Sequence, residues 1–364
     1  MRLSFLTFLF ICVFGFSLQA QIANTGMTDR LDSLEEGKVN INGYVDVYYA
    51  HSFTNYASND RPYAVSSSRN NEIALNLGYI DIRYQDKWVR AKFTPAAGSY
   101  MNANYAAEPG TFKNIFEANA GVRLSAKKEI WLDAGILGSP FTNETPISKD
   151  HLLYTRSFAA ENSPYYLSGI RLGLPLNQKL NFYFYLINGW QQIADVNKAL
   201  AITTQLEYRP TDKLLLNWSN YLGDENSALQ PTYGMRFLSD VYAIYKPTKK
   251  LSFTADTYWG RQETHKGTNI KNWWQANICA EYLIKPNWGI AARAEYFEDA
   301  GATIIQTLPN LAGLSTFSAS AGINWRVNKK AMMRLEGRQY LSDKKVYANQ
   351  AQDFLLVAGM SVAF

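Results

Sequence analysis

Asp353-Phe354-Leu355-Leu356-Val357-Ala358-Gly359-Met360-Ser361-Val362-Ala363-Phe364 decides the fold class. Phe354, Leu356, Ala358, Met360, Val362 and Phe364 put an apolar side chain at every second position, the period of a strand whose one face meets a uniformly apolar medium. An apolar face closing on an aromatic is what the last strand of an outer-membrane barrel is expected to show.

The same alternation recurs upstream. Phe317, Ala319, Ala321, Ile323, Trp325 and Val327 alternate with Ser318, Ser320, Gly322, Asn324 and Arg326. Trp274, Ala276, Ile278, Ala280, Tyr282 and Ile284 alternate with Gln275, Asn277, Cys279 and Glu281, and Leu200 to Tyr208 repeats the pattern. Short polar turns punctuate these runs at Asp86-Lys87, Lys127-Lys128, Leu176-Asn177-Gln178, Pro210 to Lys213, Pro247 to Lys250, Lys285-Pro286-Asn287 and Asn328-Lys329-Lys330. The intervening connections are longer and richer in Asn, Gly, Ser and charge. Each short turn joins two strands and one strand stands alone at either end, which makes about 16 in all.

The strands fall at 39–52, 72–85, 88–98, 112–126, 129–138, 166–175, 179–189, 199–209, 214–223, 234–246, 251–262, 272–285, 288–298, 314–327, 331–341 and 353–364. In the second, Leu75, Leu77 and Tyr79 share one parity while Ile80, Ile82 and Tyr84 share the other, so a bulge is expected there. The expected architecture is all-β: a closed antiparallel transmembrane barrel over 39–364, with short periplasmic turns and long extracellular loops. Closure satisfies every backbone polar group in hydrocarbon and leaves no sheet edge. Tyr208, Tyr245, Tyr282, Trp288, Trp325 and Phe364 lie on the outward parity near short turns, as an interfacial girdle. Tyr49, Trp259, Trp274, Tyr296 and Phe354 supply the opposite belt.

Residues 1–20 read as a secretory signal: Arg2, an apolar run from Leu3 to Phe16, then Ser17-Leu18-Gln19-Ala20. Residues 21–38 read as a short periplasmic segment. Of the 2 cysteines in the chain, Cys12 would leave with the signal, so Cys279 would have no intramolecular disulfide partner. Beyond the signal no apolar run is long enough for a membrane-spanning helix. The formal net charge of +5 is too mild for a nucleic-acid binder.

The chain has only 3 histidines. His51, His151 and His265 form no pair at ligand spacing, and neither G-x-S-x-G nor a phosphate-binding glycine loop occurs. No metal, cofactor or catalytic residue is therefore expected.

The chemistry of such a barrel lies inside it. The inward parity gathers Asp46, Glu117, Asp133, Glu207, Asp240, Asp256, Glu281, Glu295 and Glu336 against Arg90, Lys92, Arg123, Arg171, Arg236, Arg293, Arg326, Arg334 and Arg338. These can pair between neighbouring strands or set a transverse field that sorts solutes by charge. The connection from 139 to 165 is the longest and carries Glu144, Asp150, Arg156 and Glu161. Long connections in compact folds are usually functional. The expectation is that this one folds inward and narrows the pore, with Glu144, Asp150 and Glu161 opposing Arg90, Arg123 and Arg171 on the wall. With Asp133 and Arg156, these are the candidate pore-lining residues.

Asn188-Gly189-Trp190 and Asn220-Tyr221-Leu222-Gly223-Asp224-Glu225, with Tyr154 to Ile170 before them, resemble the OmpL-like β-barrel porin family of Bacteroidota outer membranes. The resemblance spans most of the chain and implies an outer-membrane porin; it carries no known substrate and no catalytic residues. The function expected is passive diffusion of small hydrophilic solutes through a water-filled barrel in contact with outer-membrane lipid and lipopolysaccharide. A substrate-selective sugar or peptide channel and a non-conducting structural or assembly barrel are the alternatives. A homotrimer is expected by analogy with other barrels of this strand number.

Overall fold

The computed structural model describes residues 37–307 and 313–364. The expected signal and all but the last two residues of the expected periplasmic segment lie outside these.

Sixteen strands close into one barrel. In chain order they are β1 (Val39–Ser52), β2 (Ile73–Gln85), β3 (Val89–Ala97), β4 (Ile115–Arg123), β5 (Trp131–Gly138), β6 (Tyr166–Asn177), β7 (Leu180–Ile187) and β8 (Ala201–Thr211). They continue as β9 (Leu214–Asp224), β10 (Met235–Tyr245), β11 (Leu251–His265), β12 (Thr268–Lys285), β13 (Trp288–Asp299), β14 (Leu314–Arg326), β15 (Ala331–Ser342) and β16 (Gln352–Ala363). Neighbours in sequence pair antiparallel, and β1 closes on β16 with Tyr44 opposite Ala363 and Ser52 opposite Leu355. No helix among the described residues is long and apolar enough to cross a membrane.

Two local departures from the expected strands have plain causes. β4 starts at Ile115 rather than 112 because Gly110–Asn114 coil into a 3-10 turn. The loop expected between the eleventh and twelfth strands, over 263–271, is instead a tight hairpin in which His265 pairs with Thr268. Gly267 turns the chain there at φ 76°, in the left-handed region that favours glycine.

The parity break in β2 is a bulge. Asp46 faces Leu77 while Val47 faces Leu75, which leaves Asn76 as the extra residue. Leu77 therefore turns into the lumen and is buried, whereas Leu75 and Ile80 stay exposed on the outer wall. Asn76 uses its displaced position to donate to Asp46 Oδ2 at 2.8 Å and to accept from Ser67 N at 2.8 Å.

Outward residues such as Ile278, Ile290, Leu335 and Leu356 are exposed on the barrel wall, an apolar outer face of the kind a transmembrane barrel carries. Tyr208, Tyr245, Tyr282, Trp288 and Phe364 are exposed toward the short-turn end, and Trp288 stacks on Trp325 at 5.5 Å and 6°. The turns are closed by side-chain acceptors: Asp86 Oδ1 takes Trp88 N at 2.7 Å and Val89 N at 2.8 Å, which holds its carboxyl below the usual range.

Candidate functional site

The chain leaves β5 at Gly138 and re-enters the wall at Tyr166, and between them it crosses the lumen. Its route is written in hydrogen bonds to distant strands. Pro140 O accepts from Asn217 Nδ2 at 3.3 Å and Ser219 Oγ at 3.0 Å on β9. Thr142 N donates to Asp240 Oδ2 on β10 at 3.0 Å, and Asn143 N to Asp256 Oδ2 on β11 at 3.2 Å. Thr142 sits at φ 61°, a costly conformation for a β-branched residue that these anchors over-determine.

Further on, Ser148 meets the Tyr44 hydroxyl of β1 at 3.0 Å, and Tyr154 donates to Asp46 Oδ1 at 3.0 Å. The Tyr154 ring fits because β16 offers Gly359 there; a β-carbon at that position would collide with the ring. Leu152 O accepts from Asn324 Nδ2 on β14 at 2.8 Å. Thr155 gives its N–H to Glu336 Oε2 at 2.7 Å and its hydroxyl to Oε1 at 2.6 Å, while its carbonyl accepts from Arg293 at 2.7 Å. Arg338 donates to Arg156 O at 2.8 Å, and Phe158 N donates to Glu295 Oε2 at 2.8 Å. Phe158 opens a short helix, α1 (Phe158–Glu161), and stacks on Phe297 at 5.5 Å.

Arg334 is the densest anchor. It donates to the carbonyls of Ser148, Leu153 at 2.9 Å, His151 at 2.8 Å and Lys149 at 3.4 Å. One guanidinium fork thus satisfies a whole stretch of irregular backbone that would otherwise be buried unpaired. His151 Nε2 bonds Thr145 O inside the same turn. Burial, and then the positive charges of Arg334, Arg156 and Arg293, push that imidazole well below its usual range, so it is neutral at pH 7.

The candidates expected to oppose one another sort differently. Arg90 and Arg171 share Asp133 on their own wall: Arg90 donates at 2.6 and 2.7 Å, Arg171 at 2.9 and 3.1 Å. The ladder explains this. Arg90 faces Gly121, Gly121 faces Asp133 and Asp133 faces Arg171 in one row across β3 to β6. Gly121 leaves the gap through which Arg90 reaches Asp133; a β-carbon there would strike Asp133 Oδ1. Arg90 also lies 4.4 Å over the Trp131 ring. Arg123 pairs with Glu129 at 2.6 Å near the short-turn end. These arginines already have carboxylate partners within the wall, and the loop acids meet other groups. Glu144 approaches Arg293 of β13 at 3.5 Å and accepts from Ser157 N at 2.5 Å. Glu161 pairs with Arg156 at 3.1 Å within the segment, and Asp150 ends a half-buried 3-10 turn, Ser148–Asp150.

The anchors Arg293, Arg334, Glu336 and Arg338 stand on the inward parity of β13 and β15, and nothing in the linear order ties them to residues 139–165. Their side chains under the segment are closed off, at 0% exposure for Arg293 and 1% for Glu295 and Glu336. Toward the short-turn end the wall opens: Arg83, Arg90, Lys92 and Arg123 retain between 11% and 16%, and Arg209 and Arg326 retain 27%. The lumen therefore has a filled waist and a charged vestibule below it. No group of His, Cys, Asp and Glu among the described residues is arranged to hold a metal.

A closed antiparallel barrel with an apolar outer wall, aromatic belts and a charged lumen crossed by its own loop is a porin-type protein of the outer membrane. The chain belongs to the family described as "Putative beta-barrel porin-2, OmpL-like", whose model matches residues 38–364. No curated protein matches it. Among solved structures it is similar to the outer membrane channel DcaP of Acinetobacter baumannii, with 12% identity, 90% of this chain and 97% of that chain covered, and a TM-score of 0.61. It is also similar to an anion-selective porin from Comamonas acidovorans, at 9% identity, 90% and 99% coverage and TM-score 0.59. In-vitro folded OmpT of Vibrio cholerae matches at 9% identity, 92% and 100% coverage and TM-score 0.57. At such identities the likeness is one of fold.

Proposed function

We propose that the protein is a restricted porin: small hydrophilic solutes diffuse passively across the outer membrane past the segment 139–165, which narrows the lumen and sets what passes. The observation that supports this is the route of that segment, tied to β1, β9 to β11 and β13 to β15. Passage is then a matter of size and of charge at the vestibule, where Arg83, Arg90, Arg123, Arg209 and Arg326 stand and where buried Asp133 and Arg171 brace Arg90 from behind. No energy source or catalytic step enters the proposal.

The substrate-selective alternative gains support from the same filling, since a snug waist favours solutes that replace its hydrogen bonds. Assembly as a homotrimer, contact of the outer belts with lipid and lipopolysaccharide, and export by residues 1–20 belong to the same proposal. Its test is single-channel conductance of the refolded mature protein in a planar bilayer, beside a variant lacking residues 141–162. Low conductance that rises on deletion fits the restricted porin. Large conductance unaffected by deletion would show that the segment does not set the passage, and a variant that stays closed although folded would favour a structural barrel.

A further inference from the structure

The two ends of the barrel are charged differently. The seven turns at the short-turn end hold ten lysines against three acids, Asp86, Glu129 and Asp212. The connections at the other end hold nine acids and nine arginines and lysines. Of the turn lysines all but Lys246 are exposed, and they stand as neighbouring pairs at Lys127-Lys128, Lys249-Lys250 and Lys329-Lys330. Asp86 turns its carboxylate onto Trp88 N and Val89 N of its own turn. Because the sheet is closed, these turns form one ring around the mouth. A rim of like charges repels itself and does not help the fold, so the surplus points to something negative that meets it.

Inside that rim the ion pairs are oriented. Arg83, Arg90, Lys92 and Arg326 retain between 11% and 27% exposure, while the carboxylates they bind, Asp81, Asp133, Glu117 and Glu281, retain 5% or less. Arg209 stands before Glu207 in the same order, 27% against 11%. Arg123 and Glu129 are the pair in reverse order. Lysine and arginine carry their charge on longer stems than aspartate and glutamate, so from a common wall the base ends nearer the water. Such a pair adds no net charge, yet water in the vestibule meets the cation first. With salt screening beyond about 8 Å, the nearest charge sets the local potential.

We infer that the solutes this channel takes are small anions, gathered by the lysine rim and led along a vestibule whose bases stand in front of their acids. The inference deepens the channel reading by naming a solute class, and it rests on that reading for passage but not for the gathering of anions. The two therefore fail separately.

The test uses the refolded mature protein carrying Cys279→Ser and Asn181→Cys. Asn181 is half-buried on β7, opposite Glu207 in the ladder, and a thiol there samples the vestibule from the short-turn side without passage through the waist. Its rates with an anionic and a cationic methanethiosulfonate are measured in neutral detergent and normalised to those of 2-mercaptoethanol. The normalised ratio is expected to favour the anionic reagent by about tenfold and to shrink in high salt. It should fall severalfold when Lys249, Lys250, Lys329 and Lys330 are all replaced by glutamine. In a planar bilayer of phosphatidylcholine, the reversal potential under a potassium chloride gradient should report chloride over potassium by at least about threefold. A ratio near unity or favouring the cationic reagent, in a barrel that gel mobility shows to be folded, would overturn the inference, as would cation selectivity. Loss of the preference on adding phosphatidylglycerol would assign the lysines to lipid headgroups and overturn it too. An intact rate preference without conductance would uphold the gathering of anions and refute the channel reading.

Discussion

Replacing Arg334 by alanine is the sharpest probe of the waist. The side chain is 5% exposed, and it holds the carbonyls of Ser148, Lys149, His151 and Leu153 together. A hydrogen bond from a charged donor contributes roughly 1.5 to 3 kcal/mol. The contact to Lys149 O is long at 3.4 Å and is discounted. Removing a desolvated charge also returns part of its burial cost. The net loss of anchoring is then roughly 3 to 5 kcal/mol, or about two to four orders of magnitude in the ratio of seated to unseated segment.

In a planar bilayer the alanine variant is expected to show added open excursions and a higher mean conductance than the parent. Arg334→Lys should fall between, since an ammonium keeps the charge but lacks the planar fork. Conductance and current noise identical to the parent, in a variant whose gel mobility shows a folded barrel, would refute the assignment of Arg334 as the clamp.

Three further outcomes follow from the same geometry. Below its ordinary pKa of about 6.5 His151 would be protonated in the unfolded chain but is held neutral when seated, so anchoring that is complete above that pH is lost as pH falls; conductance should rise between about pH 7 and pH 5, and His151→Gln should flatten the rise. Arg123→Glu, which places a second carboxylate beside Glu129 at the vestibule, should move the reversal potential under a salt gradient toward cations, and an unmoved potential would remove Arg123 from the conducting path. Ile278→Arg, at an exposed position on the lipid wall, should destabilise the barrel by about 2 to 4 kcal/mol if it lies near the bilayer midplane, read as a lower urea midpoint for the protein folded in vesicles.

The waist shows why a porin interior is poorly described by counting its charges. Inward acids and bases are near balance in the sequence, yet they do three different things. Asp133 bridges two arginines within the wall, Glu336 and Glu295 receive backbone N–H groups of the inward segment, and Arg334 serves only carbonyls and a methionine sulfur. The first is pairing between neighbouring strands rather than a field across the lumen. The others are the means by which an irregular backbone is kept inside a barrel without unpaired groups.

What the sequence determined by itself is the wall. Alternation at period two is a property of each strand alone, so Phe354 to Phe364 and Trp274 to Ile284 declare their lipid and lumen faces without reference to any partner, and the change of parity in the second strand announces a bulge, although it falls between Tyr79 and Ile80 and the bulge itself lies earlier, at Asn76. That the segment 139–165 carries weight was legible from its length. Where it goes was not. Its contacts lie on strands such as β15, 181 positions away between Thr155 and Glu336, and they become neighbours only when β16 closes on β1 and sets the far wall across the lumen. Which charges pair is decided by that closure and by the ladder register, down to the single missing side chain at Gly121 that lets Arg90 reach Asp133. Local periodicity cannot encode such a meeting, because it arises from the three-dimensional path of the whole barrel and not from any one stretch of the chain.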